Sequence, residues 1–462
     1  MKKLTSLFAA ITLFTAVSAQ TTDSIQLRKI YDEALINGKS YENLRYLCKN
    51  IGPRLSGSAN AEKAVDWTKQ LMQSYGFDKV FLQEVMVPHW VRGEKEVGKI
   101  IANGKSINVA LCALGGSVAT SATGVTAEVV EVKTLDEVKL LGEAGVKGKI
   151  VFYNRPFDPT PIETGISYGT AGDQRRSGPA VAAKYGAVAV IIRSLTHAID
   201  NYPHTGGTQY DSLGVKIPAA ALSTVAANQL SQVLKTSKPG SVKFFLKQNC
   251  QMLPDIKSYN VVGELTGTEK PNEFITVGGH LDSWDMAEGA HDDGTGVMQS
   301  VEVLRIFKSL NYRPRHSVRA VMFMNEENGA RGGRKYAELA AENKEKHIAA
   351  IESDEGGFTP RGFSFQTSGA IVANANADWK KLLEPYEADK LTVGGGGTDI
   401  APLKRTVPEI TLIGFRPDSQ RYFDIHHTPN DVFENVNRRE LELGGAAMAS
   451  LVYLIDQHGI RQ

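Results

Sequence analysis

Residues 274–296 read FITVGGHLDSWDMAEGAHDDGTG. The first six, Phe274 to Gly279, are apolar or small and run straight into His280-Leu-Asp282, the pattern of a buried strand ending where polar groups begin. Gly294-Thr295-Gly296 then leads into helical spacing from Gly296 to Leu310. The stretch is strand, acidic loop, helix, and the same alternation continues on both sides. Asn260 to Leu265, Ser317 to Asn325 and Ile348 to Ser353 read as strands; Gly332 to Asn343 and Arg439 to Gln457 read as helices. Such alternation predicts an α/β fold with a mixed, mostly parallel sheet flanked by helices. Ligands of these sheets bind beyond the carboxyl ends of strands, where strand order switches.

Five short pieces rich in metal-ligand side chains fall at those ends, in the order His280-Leu-Asp282, His291-Asp292-Asp293-Gly294, Asn325-Glu326-Glu327, Glu352-Ser-Asp354 and His426-His427-Thr428. Positions i and i+2 of a strand share a face, so His280 can ligate while Asp282 accepts from its other ring nitrogen and fixes the tautomer. Asp292 and Asp293 stand before a helix, where one carboxylate can cap free amides while the other bridges two cations about 3.5–4 Å apart. Glu326 and Glu327 point opposite ways, which suits one to a metal and the other to general-base work. Asp354 offers a terminal ligand with Glu352 as its in-register rival, and His427 competes with His426. Each piece alone has a bland reading as a cap, a solvated loop or a surface cluster; together they specify a hydrolytic metal centre.

The remaining sequence sets the frame. With 462 residues the chain exceeds one ordinary core, so two domains are expected. Hydrophobic content of 42%, charge of 22% and a formal net charge of +1 are those of a globular protein and give no argument for nucleic acid. Met1-Lys2-Lys3, the apolar Leu4 to Val17 and Val17-Ser18-Ala19 fit a signal peptide cleaved near Ala19, with export of the rest to a periplasmic or extracellular space. No later stretch is long and apolar enough to span a membrane. Cys48, Cys112 and Cys250 have no metal-type spacing, and their odd number leaves either three thiols or one disulfide and one thiol. Residues 23 to 76 read as helical, with Ser58 or Asn60 as a cap, followed by a strand from Lys79 to Val87. Residues 98–252 turn Gly-, Val- and Ala-rich, with short strands at Lys149 to Tyr153 and Ala187 to Ile192 around a helix at Gly178 to Tyr185. They carry none of the five pieces and read as an inserted, smaller β-rich domain.

The insert resembles the protease-associated family in its GKIV…AAKYGAVAVII…IPAAALS pattern. The rest resembles the co-catalytic zinc exopeptidases, the family of secreted bacterial aminopeptidases, and in particular their carboxypeptidase Q-like branch, which carries such an insert. The resemblance rests on GGHLDSWDMAEGAHDDGTG, NEENGARGG, ESDEGG and HHTPND, in that order, and on NIGPRLSGSANAEKAVDW near the start. It implies a discontinuous peptidase domain at residues 20–97 and 253–462 around the insert. It implies two Zn2+ per chain, with Co2+ or Mn2+ as substitutes: one held by His280 and Asp354, the other by Glu327 and His427, with Asp292 bridging. It gives Glu326 the general-base role and Asp282 the orientation of His280, and it implies a cis peptide between Asp292 and Asp293 and a homodimer.

Gly394 to Gly397 lacks the lysine of a phosphate loop and is expected to line the substrate cleft, with Thr398 or Asp399 near the substrate. Arg331 and Arg416 are candidates for a substrate carboxylate or for surface roles, and Trp284 and Tyr422 for a specificity pocket or for plain packing. The expected activity is hydrolysis of short peptides or dipeptides with a free amino end; aminopeptidase, carboxypeptidase and dipeptidase action all remain open. A glutaminyl cyclase-type acyltransferase with one zinc, or a non-catalytic binding protein, are the alternatives.

Overall fold

The computed structural model describes residues 22–212 and 214–461; the signal peptide expectation lies outside them. Among the described residues, one eight-stranded sheet runs in the spatial order Lys79–Val91, Gln251–Leu265, His316–Phe323, Lys270–His280, Lys346–Glu352, Thr411–Pro417, Pro360–Gln366, Lys390–Val393. Lys270–His280 lies at its centre and is parallel to both neighbours, and Thr411–Pro417 is parallel to Lys346–Glu352. Antiparallel pairs flank this parallel group, so the sheet is mixed as expected. His316–Phe323 is buried along its whole length, and Lys270–His280 from Phe274 onward. Burial on both faces explains the apolar or small stretches Phe274 to Gly279 and Ala320 to Phe323 within them.

Helix Thr295–Ser309 covers one face and packs against the final helix, Arg438–His458. Gly444 permits the close crossing, since a Cβ there would lie 2.0 Å from Gln299 Nε2. Ser58 rather than Asn60 caps helix Ala59–Ser74, its hydroxyl accepting from Ala61 N. Strands Pro360–Gln366 and Thr411–Pro417 and helix Gly369–Leu383 were not expected from the sequence. Cys48, Cys112 and Cys250 are buried free thiols. No helix among the described residues is long and apolar enough to cross a membrane.

A second eight-stranded sheet takes its strands from Val97 to Lys247, in the order Lys105–Val109, Val97–Ala102, Lys243–Lys247, Val125–Val132, Ile150–Tyr153, Ala189–Arg193, Ala219–Leu222, Leu111–Ala113. It has cores of its own, one around Phe152, Ile191 and Phe244 and one around Tyr153, Val190 and Ile192. Lys79–Val91 and Gln251–Leu265, paired along their length, carry the chain into and out of this sheet.

Candidate metal centre

The carboxyl ends of the parallel strands bring the five pieces together. His280 ends strand Lys270–His280, Asp354 follows Lys346–Glu352, and Glu326 and Glu327 follow His316–Phe323. Asp292 sits between two imidazoles. Its Oδ1 is 3.2 Å from His280 Nε2, and its Oδ2 is 3.1 Å from His427 Nε2. His280 Nε2 also lies 3.3 Å from Asp354 Oδ1, and His427 Nε2 lies 3.1 Å from Glu327 Oε2. Each oxygen of Asp292 thus faces its own histidine–carboxylate pair. Asp292 Oδ2 and Asp354 Oδ1 are buried and accept no hydrogen bond among the described residues. Two imidazoles and three carboxylates with unspent lone pairs form a donor set that suits divalent cations.

Backbone bonds hold these groups in place. The peptide between Asp292 and Asp293 is cis, as the resemblance implies. Asp293 takes the capping role open to one of the pair: its carboxylate accepts from His280 N (3.0 Å) and Gly296 N (3.0 Å), tying strand end to helix start. Asp431 accepts from His291 N (2.7 Å) and Asp292 N (3.1 Å), a clamp the sequence reading missed although Asp431 closes the HHTPND motif. Arg54, fully buried, donates to the carbonyls of Leu281, Glu288 and Gly289 and fixes the loop between His280 and Asp292. Trp284 N donates to Glu327 Oε1, leaving Oε2 toward His427. Glu352 accepts from the amides of Thr398, Asp399 and Ile400 and anchors the glycine-rich loop, the structural role open to it as Asp354's rival. His291 is spent between Gly357 N and Asn435 O and stacks on Phe358; burial lowers its pKa to about 4.

The centre is rich in buried acid. Burial, with Asp354 and Asp292 close by, pushes Glu326 up to about 7 against the pull of His280. Burial and Asp292 push Glu327 up to about 8. Among the described residues Glu326 makes no side-chain hydrogen bond, and it lines the cleft.

One expectation changes and three open alternatives narrow. Asp282 was expected to accept from the His280 ring with its carboxylate. Instead its main-chain carbonyl accepts from Nδ1 (2.9 Å), and the carboxylate stands 3.9 Å from that nitrogen. Asp282 Oδ1 accepts from Asn325 N and Glu326 N, because its side chain turns toward the neighbouring strand end. Asp399 is fully buried and does not line the cleft, whereas Thr398 does. Arg331 is paired with Asp255 and Arg416 with Glu355, so neither is a free cation. Trp284 is buried between Trp90 and His427, which is packing, while Tyr422 lines the cleft.

The second sheet supplies the opposite wall, a contribution that residues 98–252 did not announce. The cleft has a volume of about 770 Å³ and is shared by Asp292, Glu326, Glu327, Asp354 and His427 on one side and Tyr168, Arg175, Gly207 and Tyr210 on the other. Thr205 N donates to His427 O (3.0 Å), and His427 Nδ1 donates to Thr205 O (3.4 Å), leaving Nε2 free toward Asp292. His427 has a left-handed backbone (φ 64°), which this two-point contact braces. His426 stacks on His427 and also approaches Asp292 Oδ2 (3.4 Å). His427 alone of the two lies within ion-pair distance of Glu327.

Residues 260–452 match the profile described as peptidase family M28. The chain is 35% identical over 418 residues to carboxypeptidase Q of Mus musculus, covering 90% of this chain and 85% of that protein. A crystal structure of a peptidase M28 precursor from Shewanella amazonensis superposes with a TM-score of 0.90 at 31% identity, over 96% of this chain and 99% of that one. A zinc aminopeptidase from Bacillus subtilis shares the fold with a TM-score of 0.63 at 21% identity, over 90% of this chain and 94% of that one.

Proposed function

Since the chain belongs to peptidase family M28, we propose that it is an exported dinuclear zinc exopeptidase hydrolysing short peptides or dipeptides with a free amino end. The observation that carries this reading is Asp292, whose two oxygens face different imidazoles, each beside its own carboxylate. His280 and Asp354 would hold one cation, His427 and Glu327 the other, and Asp292 both. The donor set fits zinc, with cobalt or manganese as substitutes. Bound there, two such cations would polarise the scissile carbonyl and lower the pKa of the attacking water.

The protein's own groups do the rest. Glu326 takes a proton from the water as its oxygen adds to the carbonyl carbon, then delivers it to the nitrogen as the C–N bond breaks and the amine leaves. Asp282 supports Glu326 by accepting its backbone N–H. Thr398 and Tyr422 line the space the substrate would fill. Export rests on the Met1 to Ala19 pattern. The test is a digest of Ala-X and X-Ala dipeptides, free and end-blocked, with and without a chelator. Cleavage should need a free amino end and vanish with chelation. Undiminished cleavage of amino-blocked peptides overturns the proposal.

A further inference from the structure

Resting on that reading, we infer that Arg175 receives the C-terminal carboxylate of a dipeptide substrate. Arg175 is 6% exposed, and it lines the cleft that also holds Asp292, Glu326, Glu327 and His427. Among the described residues no Asp or Glu lies within ion-pair distance of it, unlike Arg92, Arg331 and Arg416, which have acid partners. Arg54 is equally buried without an acid, but spends its donors on three carbonyls. Arg175 is less well satisfied. Nη2 donates to the Tyr168 hydroxyl (2.5 Å), Nη1 has only Thr205 O at 3.4 Å, since His427 Nδ1 at 3.5 Å carries the proton it gives to that carbonyl, and Nε is buried with no partner among the described residues. The Tyr168 ring lies 5.1 Å from the guanidinium carbon and favours the cation without neutralising it.

A cation this buried calls for an anion, and a guanidinium fork matches a carboxylate in two parallel bonds. A single imidazole, that of His427, separates Arg175 from Asp292. Nη1 lies 3.5 Å from His427 Nδ1, and the same ring's Nε2 lies 3.1 Å from Asp292 Oδ2. The C-terminal carboxylate of a dipeptide, one residue or about 3.3–3.6 Å past the scissile carbonyl, is then the substrate anion nearest to Arg175. Amidating that carboxylate removes the charge, and lengthening the peptide displaces it.

The experiment compares Ala-Ala with Ala-Ala amide on zinc-loaded wild type, Arg175→Met and Arg175→Lys, with melting temperature and zinc content recorded for each. Wild type should favour the free dipeptide. Arg175→Met should lose about a hundredfold in kcat/KM on Ala-Ala through KM, change about threefold or less on the amide, and so erase the preference; Arg175→Lys should restore part of it. If Arg175→Met does not fold, Arg175→Gln, which keeps a donor for Thr205 O, is read in the same way. Equal losses on both substrates would reveal a structural arginine and overturn the inference, as would a wild type indifferent to amidation that still cleaves both. A wild type that cleaves neither removes the peptidase reading itself, and this inference with it.

Discussion

Glu326 and Glu327 are sequence neighbours with different surroundings. Glu327 is fixed between Trp284 N and His427, whereas the Glu326 side chain is free in the cleft. Glu326→Gln should therefore lower kcat by roughly 10²–10⁴-fold, the usual worth of a general base, with zinc content unchanged; wild-type turnover in that variant removes Glu326 from the mechanism. Asp431 touches no candidate cation position but holds the amides of His291 and Asp292. Asp431→Ala should weaken zinc binding by about 10–100-fold, as loss of a supporting bond does, and a competitive chelator titration measures it. At this scale the sequence carried a good deal. His280, Asp292, Glu327, Asp354 and His427 fall in pieces that stand out at strand ends and turns, while the choice of Glu327 over Glu326 rested on the family resemblance. Asp431, Arg175 and Thr205 could not be picked out, since their roles depend on bonds to groups remote in sequence. The Asp282 expectation failed because strand periodicity gives the face of a side chain, not which of two nearby donors it meets.

The elements around the centre leave little slack. A Cβ on Gly296 would stand 2.0 Å from Ser353 O and within 2.4 Å of Asp293 Oδ1, between backbone and a capping carboxylate. Gly296→Ala should cost about 1–3 kcal/mol or more, read as a lower denaturant midpoint at unchanged slope; an unaffected midpoint contradicts the close strand–helix contact. Glu345, just before strand Lys346–Glu352, offers a pH test away from the centre. Burial opposes its charge, but bonds from His347 Nε2 and both Arg319 Nη atoms overcome this and hold it at about 2, below the ordinary 4.5. A depressed acid contributes stability above its unfolded pKa and loses it as pH falls toward the folded one. Glu345→Gln should thus be less stable than wild type by roughly 2–3 kcal/mol near pH 6, and the gap should close between pH 4.5 and about 2. A gap constant with pH contradicts the assignment. The central strands were readable as elements because burial on both faces demands an apolar run, and polar residues mark where that burial ends. Pro360–Gln366 and Lys390–Val393 were not, being short and polar or glycine-bearing, although Phe363 and Phe365 of the first are fully buried in the main core.

For the whole molecule, the two sheets matter less as separate bodies than through the cleft between them. The first carries the ligand candidates; the second braces His427 through Thr205 and presents Arg175. Sequence patterning separated the segments but could not assign the second a role at the centre, because its contribution is a loop carbonyl, an amide and one arginine. The account stands on a centre for two cations bridged by Asp292. Zinc titration of metal-free protein, followed as bound metal per chain, tests that most directly. Wild type should saturate at two zinc ions and Asp292→Asn should fall below two; a wild type that saturates at one would contradict the account.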